Sequence, residues 1–147
     1  MTEKDVQKII RNCEPGSLAY QILVPNVFLY EWESDMIGVS VEDMIVEFEI
    51  KCSRFDYLAE AKKLKKRQAF ERLAEPEKLP NMFYYVFADD MDIDEEIPEY
   101  AGLIVIEKRS NNLQRYTKIV KRAPALHSSP IKPEQWKELA IKIYHKL

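Results

Sequence analysis

From Met44 to Phe87 the apolar pattern changes period twice, and few chain paths accommodate that. Met44 to Lys51 alternates in the manner of a strand. From about Arg54 to Leu73 the period becomes helical, with Leu58, Ala61, Leu64, Ala69 and Leu73 along one side and basic residues around the rest. Pro76 and Pro80 end that stretch, and Met82 to Phe87 is an unbroken apolar and aromatic run, as expected of a strand buried on both faces. Strand, helix and strand of these lengths predict a parallel crossover unit, which in turn demands a sheet with helices packed on it.

The flanking segments extend this frame. Thr2 is placed to cap a helix running to about Cys13, stopped by Glu14-Pro15-Gly16. Asn26 to Trp32 and Asp35 to Ser40 read as two further strands, the second forming a hairpin with Met44–Lys51 about Val41-Glu42-Asp43. Ala101 to Glu107 and Tyr116 to Lys121 read as a later pair of strands, and Pro133 opens a closing helix carrying Trp136, Leu139, Ala140 and Ile143. The expected fold class is therefore α/β: an α-β-β-β-α-β core, a mixed sheet flanked by helices, with a C-terminal hairpin and helix. With 147 residues, 46% apolar, and no Gly/Ser linker or repeat, one domain spanning residues 1–147 is expected.

Charge is distributed unevenly. The net charge is only −3, yet Lys51 to Arg72 carries eight basic residues against three acidic, while Asp89 to Glu99 is acidic with no basic residue. The first segment attracts a polyanion and the second repels one. Cys13 and Cys52 are too few for a disulfide framework or a cysteine cage and are expected as reduced thiols. No apolar run approaches a membrane span and the N-terminus lacks the features of a signal peptide, so a cytoplasmic protein without a membrane partner is expected.

The chemistry concentrates on the hairpin. Alternation puts Glu47, Glu49 and Lys51 on one strand face and Phe48, Ile50 and Cys52 on the other. A hairpin centred on Glu42 sets position 35 opposite position 49, bringing Asp35 beside Glu49. Two adjacent carboxylates repel unless a cation lies between them, and hard oxygen ligands suit Mg²⁺ or Mn²⁺. A neighbouring lysine then orients water or offsets charge on a phosphate. A bland alternative stands beside this: an acidic residue two positions before a lysine is also the pattern of a simple salt-bridge ladder. Likewise the cluster Lys62, Lys63, Lys65, Lys66 and Arg67 is either a solvated helix face or a phosphate-contacting rim. Tyr84 and Tyr85 are expected in the core, and His127 and His145 as structural or surface residues.

Over roughly Trp32 to Ile106 the chain resembles the PD-(D/E)xK nuclease superfamily, whose fold is that of restriction endonucleases, and in particular its small phage and bacterial members. Glu33-Ser34-Asp35-Met36-Ile37-Gly38-Val39 resembles the segment bearing the family's metal-binding aspartate. Glu47-Phe48-Glu49-Ile50-Lys51-Cys52-Ser53-Arg54-Phe55-Asp56 is similar to the E-x-K strand and the S-R-x-D segment after it. Pro80-Asn81-Met82-Phe83-Tyr84-Tyr85-Val86 and Pro98-Glu99-Tyr100-Ala101-Gly102-Leu103-Ile104 resemble later strands. The resemblance implies Mg²⁺ or Mn²⁺ held by Asp35 and Glu49, Lys51 at the attacking water, and hydrolysis of DNA in repair, recombination or phage DNA processing. It implies Glu33, Glu47 and Arg54 as accessory residues, and dimers, which the family often forms. Members also place an acidic residue on the first helix, a role open to Glu3, Asp5 or Glu14. Because the superfamily includes members without catalysis, an inactive binding or assembly module is the competing expectation.

Overall fold

The hairpin turn sets the sheet. In the computed structural model, which describes residues 1–13, 19–60, 70, 75, 78–88, 97–108 and 115–145, β2 (Ser34–Ser40) turns back into β3 (Ile45–Lys51). Asp43 adopts a left-handed backbone with φ 64°, a conformation that aspartate tolerates better than bulkier residues. Ser40 secures the turn: its amide donates to the Met44 carbonyl at 2.9 Å, and its hydroxyl accepts from the Glu42 and Met44 amides at 3.3 and 3.2 Å. The resulting register pairs Met36 with Phe48, Ile37 with Glu47 and Val39 with Ile45, centred on Glu42 as the spacing predicts.

β1 (Tyr20–Val27) joins the outer side of β2, and β4 (Met82–Phe87), β5 (Gly102–Lys108) and β6 (Arg115–Lys121) continue the sheet beyond β3. The order is β1-β2-β3-β4-β5-β6, with β3, β4 and β5 mutually parallel and the remaining pairs antiparallel. The predicted crossover is thus present: β3 leads into α2 (Arg54–Glu60) and the chain returns parallel in β4. Phe70 is also helical and buried. The rest of the expected helix to Leu73, including Lys62, Lys63, Lys65, Lys66 and Arg67, lies outside the described residues.

Both faces of the sheet are covered. On one, Val6 and Ile10 of α1 (Glu3–Cys13) pack with Met36, Phe48, Ile50, Tyr84, Val86 and Ile104. On the other, Phe70 joins Phe83, Tyr85 and Phe87, while Leu139 of α3 (Pro133–Tyr144) joins Val24, Ile37, Val39 and Ile45. Thr2 caps α1 as expected, its hydroxyl accepting from the Asp5 amide at 3.2 Å and its amide donating to Asp5 Oδ2 at 2.9 Å. The Thr2 amide, and then the Thr2 hydroxyl, hold the exposed Asp5 carboxyl below its usual value. The architecture is the mixed α/β sheet with flanking helices that the sequence predicts.

The first strand departs from expectation. It occupies Tyr20–Val27 rather than Asn26 to Trp32. Pro25 is accommodated in β1, and Asn26 takes a left-handed φ of 50° near its end. The aromatic-rich run Phe28 to Trp32, which has the composition of a strand, instead forms bends: Leu29 and Tyr30 pack against the cluster that holds Leu139, and the Trp32 ring lies tilted at 5.7 Å from that of Phe70. Tertiary packing of the rings overrides strand propensity here.

A buried asparagine links the start of β3 to the segment before α3. Asn81 Oδ1 accepts from the Ile45 amide at 2.8 Å, and Nδ2 donates to the His127 and Ser129 carbonyls at 3.0 and 2.8 Å. His127 Nε2 lies 2.9 Å from the Leu79 carbonyl and its Nδ1 accepts from the Ser129 amide at 3.2 Å, so the neutral ring with hydrogen on Nε2 fits the network. His127 is therefore structural, as expected. Replacing Asn81 with Ala strands three backbone groups in the interior. We predict a loss of about 2–4 kcal/mol of stability in denaturant unfolding; a change below half a kcal/mol would contradict this account.

Candidate functional site

β3 buries ionisable side chains on the face opposite α1. Glu47, Glu49 and Lys51 are 0%, 3% and 5% exposed, on the same face as Phe83, Tyr85 and Phe87 of the neighbouring strand. Charged groups taken from water need partners, because their desolvation costs several kcal/mol each. Lys51 Nζ pairs with Glu49 Oε1 at 3.2 Å at the C-terminal end of the strand. Deeper in the sheet, the Trp32 indole N–H is shared between both Glu47 oxygens at 3.1 and 3.0 Å.

Asp35 approaches from β2. The β2–β3 pairs end at Met36–Phe48, one residue short of Asp35 and Glu49, so the two carboxylates belong to the same end of neighbouring strands. Asp35 is half-buried, and its Oδ2 accepts the Ile50 amide at 2.8 Å. The backbone of Asp35 is held in turn by α1: Gln7 Nε2 donates to the Asp35 carbonyl at 2.9 Å and to Asn26 Oδ1 at 3.1 Å. Glu3 Oε1 lies 3.3 Å from Asn26 Nδ2 and 3.5 Å from Gln7 Nε2 in the same cluster. Among the first-helix acids, Glu3 thus stands at this end of the sheet. Asp5 serves the helix cap, and Glu14 lies outside the described residues.

The remaining expected site residues divide. Arg54 opens α2 three positions beyond Lys51 and is exposed; Glu33 is exposed, with Oε1 at 3.5 Å from Asn26 Nδ2. Glu47 belongs to the Trp32 cluster rather than to the Lys51 pair in its closest contacts. Tyr30, Trp32 and Gln7 were not expected from sequence. The signal that could have raised Trp32 is an indole shortly before Asp35 on a chain whose next strand buries a carboxylate at position 47. Both cysteines are unpaired thiols, as expected. Burial, and then the Asp56 carboxylate, push the Cys52 thiol up, with Glu3 and Asp35 acting in the same direction.

Among the described residues, no group of three or more His, Cys, Asp and Glu side chains forms a closed cage for a metal. Two carboxylates at adjacent strand positions are nonetheless a donor set suited to Mg²⁺, which binds through few protein oxygens and keeps several waters. No described helix is long and apolar enough to cross a membrane.

Tyr30 adds a buried phenol beside Glu47. Its hydroxyl has no hydrogen-bond partner among the described residues. Burial, and then the Glu47 charge, raise its pKa well above the usual 10.0. A phenol with a raised folded-state value supports stability below the unfolded pKa and loses that contribution as pH rises through the folded value. Stability should therefore fall as pH climbs beyond about 10. We predict that Tyr30→Phe flattens this alkaline slope and, by removing an unsatisfied hydroxyl, stabilises the chain by roughly 1 kcal/mol near neutrality. Thermal melts across pH test both; marked destabilisation at neutral pH would show that the hydroxyl has a partner in solution.

No family model matches the chain, and no curated protein matches it. A solved structure of a protein of unknown function from Silicibacter pomeroyi is similar, with a TM-score of 0.58 and 20% identity over 96% of this chain and 80% of that one. At that identity the likeness extends to the fold.

Proposed function

We propose that the chain is a divalent-metal-dependent DNA nuclease that hydrolyses phosphodiester bonds through Asp35, Glu49 and Lys51, as a member of the PD-(D/E)xK superfamily. The observation that supports this reading is the buried Glu49–Lys51 pair at the C-terminal end of a central strand, with Asp35 on the neighbouring strand accepting the Ile50 amide. Burying an ion pair is a costly way to stabilise a sheet, since apolar residues of similar volume often do as well or better. A reactive site supplies a reason to retain it.

Asp35 and Glu49 would hold Mg²⁺ or Mn²⁺. When bound, such an ion polarises a phosphoryl oxygen and makes water a stronger nucleophile. Lys51 brings an ammonium to the same place, where it orients the attacking water and offsets charge gathering on the phosphate. Water adds to phosphorus, the phosphorus–oxygen bond to the leaving strand breaks, and the departing oxygen takes up a proton. The basic segment from Lys51 to Arg72, including Lys62, Lys63, Lys65, Lys66 and Arg67, supplies the charge to attract the DNA backbone.

A second reading rests on the internal bonds of the same residues. Lys51 already neutralises Glu49, and Asp35 already caps the Ile50 amide, which are the contacts of a structural network in an inactive binding or assembly module.

Substitution separates the two. Lys51→Ala and the better-packed Lys51→Met should both abolish Mg²⁺-dependent cleavage of linear or branched DNA while retaining Mn²⁺ binding, since each removes a cation and no metal ligand. Asp35→Ala should lose both properties. Calorimetric Mn²⁺ titration and a cleavage assay with and without chelator give the readouts. Wild-type protein that binds no Mn²⁺ and cuts none of linear, nicked, flapped or four-way DNA would replace the nuclease with the binding module.

A further inference from the structure

Two phenylalanines at the site end of the sheet remain largely in water. Phe55 is 80% exposed and Phe28 is 61% exposed. Leaving such a ring in solvent forgoes the free energy that burying it would supply. Single exposed apolar residues are ordinary, so their location has to give them meaning.

Phe28 follows Val27, whose partner across β1 and β2 is Ser34, the residue before Asp35. Phe55 is the second residue of α2, four positions after Lys51 and directly after the exposed Arg54. Antiparallel pairing of β1 with β2 and of β2 with β3 therefore brings both residues to the end of the sheet where Asp35, Glu49 and Lys51 lie.

We propose that Phe28 and Phe55 are stacking platforms for unpaired bases, and that the substrate of this site is DNA with a single-stranded segment. This inference rests on the nuclease reading. In an intact duplex both faces of each base are covered by their neighbours, so an aromatic ring gains little; an unpaired base offers a free face to stack upon. Arg54 adds a cation beside Phe55, complementary to the phosphate linking successive bases. The combination of exposed aromatic and basic side chains favours a nucleic-acid strand over an apolar protein surface.

The test compares full-length wild type, Phe28→Leu, Phe55→Leu and Phe55→Tyr in Ca²⁺-containing buffer without Mg²⁺, using a fluorescent single-stranded oligonucleotide and a blunt duplex of the same sequence. Thermal melts check that each variant folds, and sedimentation gives its oligomeric state. Wild type should prefer the single strand. Each leucine variant should weaken single-strand binding by roughly five- to 150-fold, with duplex binding unchanged, and tyrosine should restore it. Unchanged single-strand to duplex ratios in the leucine variants, with wild type still binding or cutting DNA, overturn the stacking assignment and leave the nuclease reading intact. Loss of a dimer without a change in that ratio likewise overturns it, assigning the rings to a second copy of the chain. Failure of wild type to bind either DNA, together with no Mn²⁺-dependent cleavage, overturns the nuclease reading and this inference with it.

Discussion

Three ionisable side chains buried on one face of a central strand set the terms for their surroundings. Glu47, Glu49 and Lys51 alternate with Phe48 and Ile50, so β3 presents an apolar face to α1 and a charged one to the opposite layer. That layer must carry polar partners into an otherwise aromatic environment. It does so by two routes: an ammonium from the same strand, and an indole from the bends before β2. Because an unpaired buried charge costs far more than a paired one gains, each contact constrains where its supplying element can run. The path of residues 28 to 33 follows from this: Trp32 packs its ring against Phe70 and aims its N–H at Glu47, uses that a strand at the sheet edge would not provide.

The two glutamates illustrate how position along one strand divides chemical roles. Glu47 lies opposite Ile37 and beside Phe83, with both oxygens engaged by one neutral donor. Glu49 is two residues nearer the strand end and shares its charge with Lys51. The crossover to α2 starts immediately beyond, and in open α/β sheets the carboxyl ends of strands are where ligands find room. The inner carboxylate is thus held by a neutral donor from a neighbouring segment, and the outer one by a cation of its own strand.

Much of the frame is legible from local pattern. A short hairpin has its register set by its turn, so the position of Glu42 is sufficient to pair Met36 with Phe48 and Ile37 with Glu47, and alternation alone assigns Glu47, Glu49 and Lys51 to a shared face. The parallel return into β4 follows from period and length. What escapes such reasoning depends on distant partners. Gln7 reaches the Asp35 carbonyl across 28 positions and Asn81 reaches the Ser129 carbonyl across 48, with no periodicity to announce either. The misplacement of the first strand has the same origin: Phe28 to Trp32 has strand-like composition, and only the rings of Phe70 and the carboxylate of Glu47 explain why it bends.

The Gln7 contact is one of several that meet at Asp35. Gln7 from α1 takes its carbonyl, Ile50 from β3 gives an amide to its carboxylate, and Asn26 from the end of β1 joins through Gln7. A side chain whose own atoms have few alternatives is held in one geometry, because its neighbours fix both its backbone and its carboxylate. The left-handed turn at Asn26 is part of the same arrangement, because it brings the amide of that residue within reach of both Gln7 and Glu3. Side chains and backbone from α1, β1 and β3 therefore meet around Asp35, so that replacing Gln7 would loosen its carbonyl and shifting the hairpin register would remove the amide that its carboxylate accepts.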